Sequence, residues 1–365
     1  MGMSIRFVLL PTLWVSLLLT VTVPANADAS SWSIKELETQ SGDAFWQAYQ
    51  DAFVTSDGRV IDTANGDISH SEGQGYGLLL AAFADDQKAF DRIWYWTKRE
   101  LQVRQNDHLL AWRWKPDASP HVDDLNNATD GELLIVYALI EAAKRFNEPS
   151  YLDEAAPIAL DMARTMLWRS NELVFISPAE RGFSADERSD GPIVNPSYWV
   201  FPALSALESA FDGEDVVSWQ SVAITGLGVL EISSQLFGLP PEWLALGDGR
   251  AAPASGFDPV FGYNAVRVPL YLTWAGLTDE RFLQPFSDNW IGDGGELPIA
   301  HLLSGEPSGH FVDAGYRAVA ALTLCALDAA PFASDLKTIP IEHYYPTTLH
   351  AFSLMIAQGR YPQCL

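Results

Sequence analysis

The chain predicts an all-α domain built from helical hairpins, and three observations carry that expectation. Apolar residues recur at intervals of three and four through most of the length. Polar, glycine-rich or proline-rich breaks separate these runs at hairpin spacing. No comparable series of alternating strand patterns appears, with Leu173 to Ser177 reading as one short strand.

The first helix is set by Phe45, Tyr49 and Phe53 with Ala48 and Ala52 beside them; Ser41 is placed to cap it, and Asp57-Gly58 closes it. A second runs from about 73 to 84. A third carries Phe90, Ile93, Trp94, Thr97 and Leu101 on one face. Between about 102 and 128 the pattern is irregular, and this loop holds Trp112, Trp114, His121, Asp123, Asp124, Asn126 and Asn127. Thr129 and Glu132 then read as a capping box opening the run Leu133, Val136, Tyr137, Ile140 and Phe146, which makes Glu132 structural and leaves Asp130 in the first turn. Later helices are expected at about 151–169, 196–211, 215–236, 262–276, 313–329 and 346–358, with Pro157, Pro202 and Pro269 interrupting three of them. The total is roughly eleven helices in hairpins.

The N-terminus carries one cation, Arg6, then an apolar run from Phe7 to Val23 and the small-residue pattern Ala25-Asn26-Ala27. This is the pattern of a secretory leader covering 1–27, and Pro24 with the Ala-x-Ala site favours cleavage over a retained anchor. The remainder, 28–365, shows no Ser/Pro/Thr-rich linker and is expected to be one domain, a monomer, periplasmic or secreted, with no membrane contact once the leader is gone.

A formal charge of −25, one unit more negative without Arg6, argues against nucleic acid and anionic lipid as partners and favours a neutral or cationic substrate. Cys325 and Cys364 are the only cysteines. In an oxidising compartment they can tie down the C-terminus, but sequence does not place them within bonding distance.

The stretch Ser69 to Gly77 joins one carboxylate, Glu72, to hydrogen-bonding side chains and three glycines immediately before the apolar run Leu78 to Phe83. Gly73, Gly75 and Gly77 leave room for a ligand or another backbone, and Glu72 is expected exposed at a helix start. A dinucleotide fingerprint is disfavoured, because the glycine spacing is wrong and the preceding residues are not a strand. No His-Glu-x-x-His, phosphate loop or Gly-x-Ser-x-Gly elbow occurs, and the seven histidines lack ligand spacing, so neither metal nor cofactor is expected.

Asp57-Gly58-Arg59-Val60-Ile61-Asp62, Ser71-Glu72-Gly73-Gln74-Gly75-Tyr76-Gly77 and Ala128-Thr129-Asp130-Gly131-Glu132 together resemble the signatures of glycoside hydrolase family eight. The likeness continues through Ala111-Trp112-Arg113-Trp114, Asn195-Pro196-Ser197-Tyr198 and Tyr263-Asn264-Ala265-Val266-Arg267 in the family's order. The resemblance implies an (α/α)6 barrel with a cleft across one end, and hydrolysis of β-1,4-linked polysaccharide with inversion. It is nearest to cellulases found beside bacterial cellulose synthesis. It also implies that Glu72 is the proton donor and that Asp130 positions the distorted sugar. Tyr76, Trp112, Trp114, Tyr198 and Trp199 are the aromatic candidates for stacking on sugar, and Asp124, Asn264 and Arg267 join the substrate-binding set.

Inversion needs a protonated carboxyl beside the leaving oxygen and a second group that activates water across the ring. Many family members carry aspartate where this chain has Asn264, and an amide cannot accept the water's proton. Asp130 and Asp258 are therefore ranked ahead of Asp190 as the base. Two mild departures accompany this one, Glu132 in place of the usual Asp and Val136 in place of Ala. The leading expectation is an endo-β-1,4-glucanase. A chitosanase of the same family, favoured by Asn264 and the acidic charge, and a non-catalytic polysaccharide-binding barrel are the alternatives.

Overall fold

A computed structural model describes residues 33–34, 42–211, 218–292 and 296–365. The expected leader and the expected cap Ser41 lie outside these residues. Eleven α-helices are present among them. In chain order they are α1 (Gly42–Phe53), α2 (Ser71–Phe83), α3 (Gln87–Glu100), α4 (Thr129–Arg145), α5 (Ser150–Thr165), α6 (Phe201–Ala210), α7 (Trp219–Phe237), α8 (Arg267–Ala275), α9 (Glu280–Phe286), α10 (Ala314–Asp328) and α11 (Tyr344–Arg360).

Burial separates these helices into an inner and an outer set. In α2 every residue but Glu72 is buried, α8 is buried along its whole length, and α4 is buried from Thr129 to Ala143. By contrast α3 buries only one face, formed by Ala89, Phe90, Ile93, Trp94, Trp96 and Thr97. A helix apolar all round must be enclosed by others, whereas an amphipathic one forms the outer wall. The inner helices α2, α4, α6 and α8 pack each on the next. Phe352 of α11 closes the ring, meeting Tyr76 and Phe83 of α2 and Trp274 of α8.

Gly75 and Gly131 allow the closest of these approaches. A Cβ on Gly75 would lie 2.6 Å from Cβ of Leu134, and one on Gly131 would lie 2.8 Å from the backbone nitrogen of Glu72. Each helical glycine costs about 0.5–1 kcal/mol relative to alanine, which burial of Leu78, Leu79, Leu80 and Phe83 at about 1.5–3 kcal/mol apiece outweighs. Within the glycine-rich stretch, Gly75 thus admits another helix, and Gly77 admits Val60 of the 57–62 turn, rather than a ligand.

The strands are short and lie at loops. They are β1 (Ser69–His70), β2 (Arg113–Trp114), β3 (Leu167–Ser170), β4 (Leu173–Ile176), β5 (Ile193–Val194), β6 (Leu244–Ala245), β7 (Ala252–Pro253), β8 (Val260–Phe261), β9 (Leu297–His301) and β10 (Pro307–Phe311). They pair as β1-β2, β3-β4, β5-β6-β7 and β8-β9-β10, all antiparallel. The expected strand at 173–177 is β4, and its partner β3 falls at the end of the helix expected over 151–169. The β9-β10 hairpin and the short helix α9 were not anticipated.

The capping box is not formed. Ala128 is the N-cap of α4, Thr129 Oγ1 donates to the Ser177 carbonyl, and Glu132 accepts from the Leu110 amide at 2.8 Å. Glu132 is structural, but it ties the 102–128 loop to the barrel instead of capping its own helix. Burial pushes its pKa well above the usual carboxylate value. Cys325 of α10 and Cys364 are disulfide-bonded, fixing the C-terminus to the barrel wall.

Candidate active site

The starts of α2, α4 and α8 meet at one end of the barrel and bring Glu72, Asp130 and Arg267 together. Arg267 Nη1 donates to Glu72 Oε2 at 2.6 Å and to Asp130 Oδ2 at 2.7 Å. Its Nη2 donates to Ser197 Oγ at 3.0 Å and to Asn264 Oδ1 at 2.9 Å, and its Nε to the Asn264 carbonyl at 3.2 Å. A planar guanidinium with five fixed donors suits this fan of acceptors. Side-chain exposure is 1% for Arg267 and 2% for Asp130, against 18% for Glu72. Of the three, Glu72 is the most exposed to an arriving substrate.

Charge balance sets the state of Glu72. With Glu72 protonated, the buried Arg267–Asp130 pair is neutral; ionising Glu72 adds an anion in a desolvated cluster. Burial and the neighbouring Asp130 raise its pKa, while Arg267 and His70 oppose them without reversing the direction. A carboxyl whose pKa is raised is what a general acid requires.

The approach to Glu72 is built by local contacts. His70 is the N-cap of α2, its Nδ1 accepting from the Gly73 amide at 2.9 Å and its Nε2 standing 3.3 Å from Asp62. Gln74, fully buried, accepts from the Val60 amide at 2.6 Å and donates to Thr97 Oγ1 at 2.7 Å. These bonds pin the 57–62 turn and α3 to the acid-bearing helix.

Residues 17–359 match the profile described as glycosyl hydrolases family 8. Over 311 residues the chain is 39% identical to a probable endoglucanase of Novacetimonas hansenii, covering 83% of this chain and 87% of that protein. It superposes with a TM-score of 0.77 on the solved endo-β-1,4-glucanase of Acetobacter xylinum, at 36% identity, covering 89% of this chain and 99% of that one. A family 8 endoglucanase from Klebsiella pneumoniae gives a TM-score of 0.76 at 31% identity, covering 87% and 100%.

The chain belongs to glycosyl hydrolases family 8. It is a glycoside hydrolase with the (α/α)6 barrel of that family, and the meeting of three inner-helix starts is its candidate active site.

Not every aromatic expected to stack on sugar is available to do so. Tyr76 is fully buried and bonds the Tyr271 hydroxyl, so it is a core residue. Trp199 is likewise core, donating from Nε1 to the Val222 carbonyl at 2.9 Å. Trp114 has both ring faces occupied, His121 stacked at 4.3 Å and the Arg59 guanidinium at 4.8 Å. Trp112, half-buried like Trp114, has the Arg113 guanidinium over its ring at 4.3 Å and, among the described residues, no stacked ring, and its Nε1 donates to Asp124 Oδ2 at 2.9 Å, which assigns Asp124 to orienting the indole. Tyr198 is half-buried 5.6 Å from the Arg267 guanidinium.

The acids expected to serve as base are placed differently from one another. Asp130 is in the cluster. Asp258 is exposed on the turn entering β8, its carbonyl accepting from the Val260 amide. Asp190 holds its own loop, accepting from the Ser255 amide at 2.7 Å and from Arg188 at 3.1 Å. Instead, Glu242 stands beside Asn264. The sequence reading did not single out Glu242, nor Ser197 as a partner of Arg267. The one available signal was that an amide at 264 calls for a carboxylate nearby, and 22 residues separate the two in sequence.

Proposed function

We propose that this chain is an exported endo-β-1,4-glucanase that hydrolyses cellulose-like β-1,4-glucan with inversion, with Glu72 as general acid. The observation that carries this reading is the single Arg267 Nη1 shared by a partly accessible carboxyl of raised pKa and a buried carboxylate. Glu72 gives its proton to the glycosidic oxygen as the C1–O bond breaks. Asp130, paired with Arg267, faces the positive charge that develops on the sugar ring and holds the ring in its distorted form. The endoglucanase names of the relatives and solved structures support β-1,4-glucan as the substrate.

Export is supported by the expected leader and by the Cys325–Cys364 bond, which suits an oxidising compartment. Among the described residues no helix is long and apolar enough to cross a membrane. A role beside bacterial cellulose synthesis and a monomeric state belong to the same proposal.

The test is reducing-sugar release from soluble carboxymethyl cellulose, chitosan, xylan and mixed-linkage glucan side by side, with the anomer of the first product followed by NMR. Preference for cellulose derivatives and release of the inverted α-anomer are expected. Preference for chitosan, weakening as salt screens the acidic surface, would replace glucan with chitosan as substrate. Binding to all four without turnover would leave only a polysaccharide-binding barrel.

A further inference from the structure

We infer that Glu242 is the group that takes the proton from the attacking water, and that Asn264 is an amide because it must hold that carboxylate. The inference rests on Glu72 being the acid, as proposed above.

Both carboxylate oxygens of Glu242 turn to Asn264: Oε1 accepts from its backbone amide at 2.8 Å and Oε2 from its Nδ2 at 3.2 Å. On its other side Asn264 presents Oδ1 to Arg267 Nη2 at 2.9 Å. Arg267 has only donors and Glu242, when ionised, only acceptors, so a single orientation of the amide satisfies both. A hydrogen-bonded path therefore runs from Glu72 and Asp130 through one guanidinium and one amide to Glu242. An aspartate at 264 would set two carboxylates about 3 Å apart, where one of them must hold a proton. The amide at 264 and the carboxylate at 242 are thus a matched pair.

The surrounding backbone makes room for this arrangement. The Glu242 amide donates to the Val260 carbonyl at 3.0 Å, fixing the segment before β6 against β8. A Cβ on Gly262 would lie 2.7 Å from Glu242 Oε1, so only glycine leaves the carboxylate its place. Glu242 is half-buried, open enough for water to reach it. A carboxylate has about four acceptor positions, of which Asn264 uses two, leaving capacity for a water. Tyr198, whose pKa is raised by burial first, also feels the charges of Asp130, Glu72 and Glu242.

In the step, the water oxygen bonds to C1 and one of its protons passes to Glu242. The C1–O bond to the leaving sugar breaks, its electron pair staying on that oxygen, which takes the proton of Glu72. Solvent then removes the proton from Glu242 and returns one to Glu72.

Four variants of the full chain test this: Glu242→Gln, Glu242→Ala, the pair Glu242→Gln with Asn264→Asp, and Glu72→Gln as the comparison. Glu242→Gln should lose about 10²-fold or more in kcat with oligosaccharide binding retained. Sodium azide should restore turnover to Glu242→Ala and yield a glycosyl azide of inverted configuration. The paired exchange, which moves the carboxylate one side chain over, should recover activity lost in Glu242→Gln alone. Wild-type kcat in either single variant at 242 would overturn the inference, as would lost activity that neither azide nor the paired exchange restores. Should Glu242→Ala fail to fold, Glu242→Gln and the paired exchange decide. Normal turnover in Glu72→Gln would instead overturn the assignment of the acid.

Discussion

A Cβ added to Gly131 would fall 2.1 Å from Oγ of Ser71 and 2.6 Å from its Cβ. The first turn of the helix bearing Asp130 therefore packs directly on the first turn of the helix bearing Glu72, and the two carboxyls are neighbours for that reason. Gly131→Ala should cost about 1–3 kcal/mol from overpacking. It should also lower kcat, because relief requires the two helix starts to part. Adding Ser71→Gly removes the two closest contacts and should recover part of the melting temperature. Thermal melts and kcat for the single and double variants check this.

Glu72→Gln should lower kcat by about 10²- to 10⁴-fold while retaining oligosaccharide binding. Its stability carries a second signature. The Glu72 pKa is raised in the folded protein above 4.5, burial being the main cause. The folded state thus holds a proton that the unfolded state releases. Below that value both states are protonated and the wild type matches the amide variant. As pH rises through 4.5 toward the folded value the wild type loses stability and the variant does not. Denaturant melts of both proteins across this range should diverge with rising pH, the variant being the more stable at neutrality.

The helices were legible because a buried helix leaves a period of three to four in the apolar residues, and Phe45, Tyr49 and Phe53 are all buried where that period put them. Glu72 stood out because it lies beside glycines that allow close approach, whereas Asp130 read only as a first-turn anion until the family resemblance singled it out. The rest was hidden by distance along the chain. Arg267 is 195 residues from Glu72 and 137 from Asp130, so nothing local announces that one nitrogen serves both. The aromatic set was overread for the same reason: Tyr76 is followed by the apolar run that buries it, and only the fold decides that Trp114 lies between His121 and Arg59.

The two tryptophans of the loop should separate by assay. Trp114 is held on both faces and edge-on to Trp96 at 5.7 Å, so Trp114→Ala should act on stability, by roughly 3 kcal/mol or more. Trp112 is half-buried and aimed by Asp124, and Trp112→Ala should raise KM with a smaller effect on melting. Equal KM values for the two variants would remove Trp112 from substrate binding.

Cys325 and Cys364 close a loop across 39 residues. Replacing both by alanine should cost about 2–4 kcal/mol, with kcat little changed in protein that remains folded, since the bond anchors the chain end away from Glu72. Reductant should lower the melting temperature of the wild type toward that of the variant and leave the variant unaffected.

Arg267→Lys tests whether shape or charge holds the site together. Lysine keeps the positive charge but has one compact ammonium, whereas Arg267 reaches Glu72 and Asp130 through Nη1, and Ser197 and Asn264 through Nη2. An ammonium near the two carboxylates leaves Ser197 Oγ and Asn264 Oδ1 without their donor, and Asn264 then loses the contact that opposes Glu242. If shape governs, Arg267→Lys should fall in kcat nearly as far as Arg267→Met, by about 10²-fold or more, with KM moving less. The two should differ in stability: methionine leaves Asp130 buried without a counter-charge, at about 3–5 kcal/mol, and lysine should recover a large part of that. A lysine variant with wild-type kcat would show that charge alone suffices and that the fan of hydrogen bonds around the guanidinium is not needed for turnover.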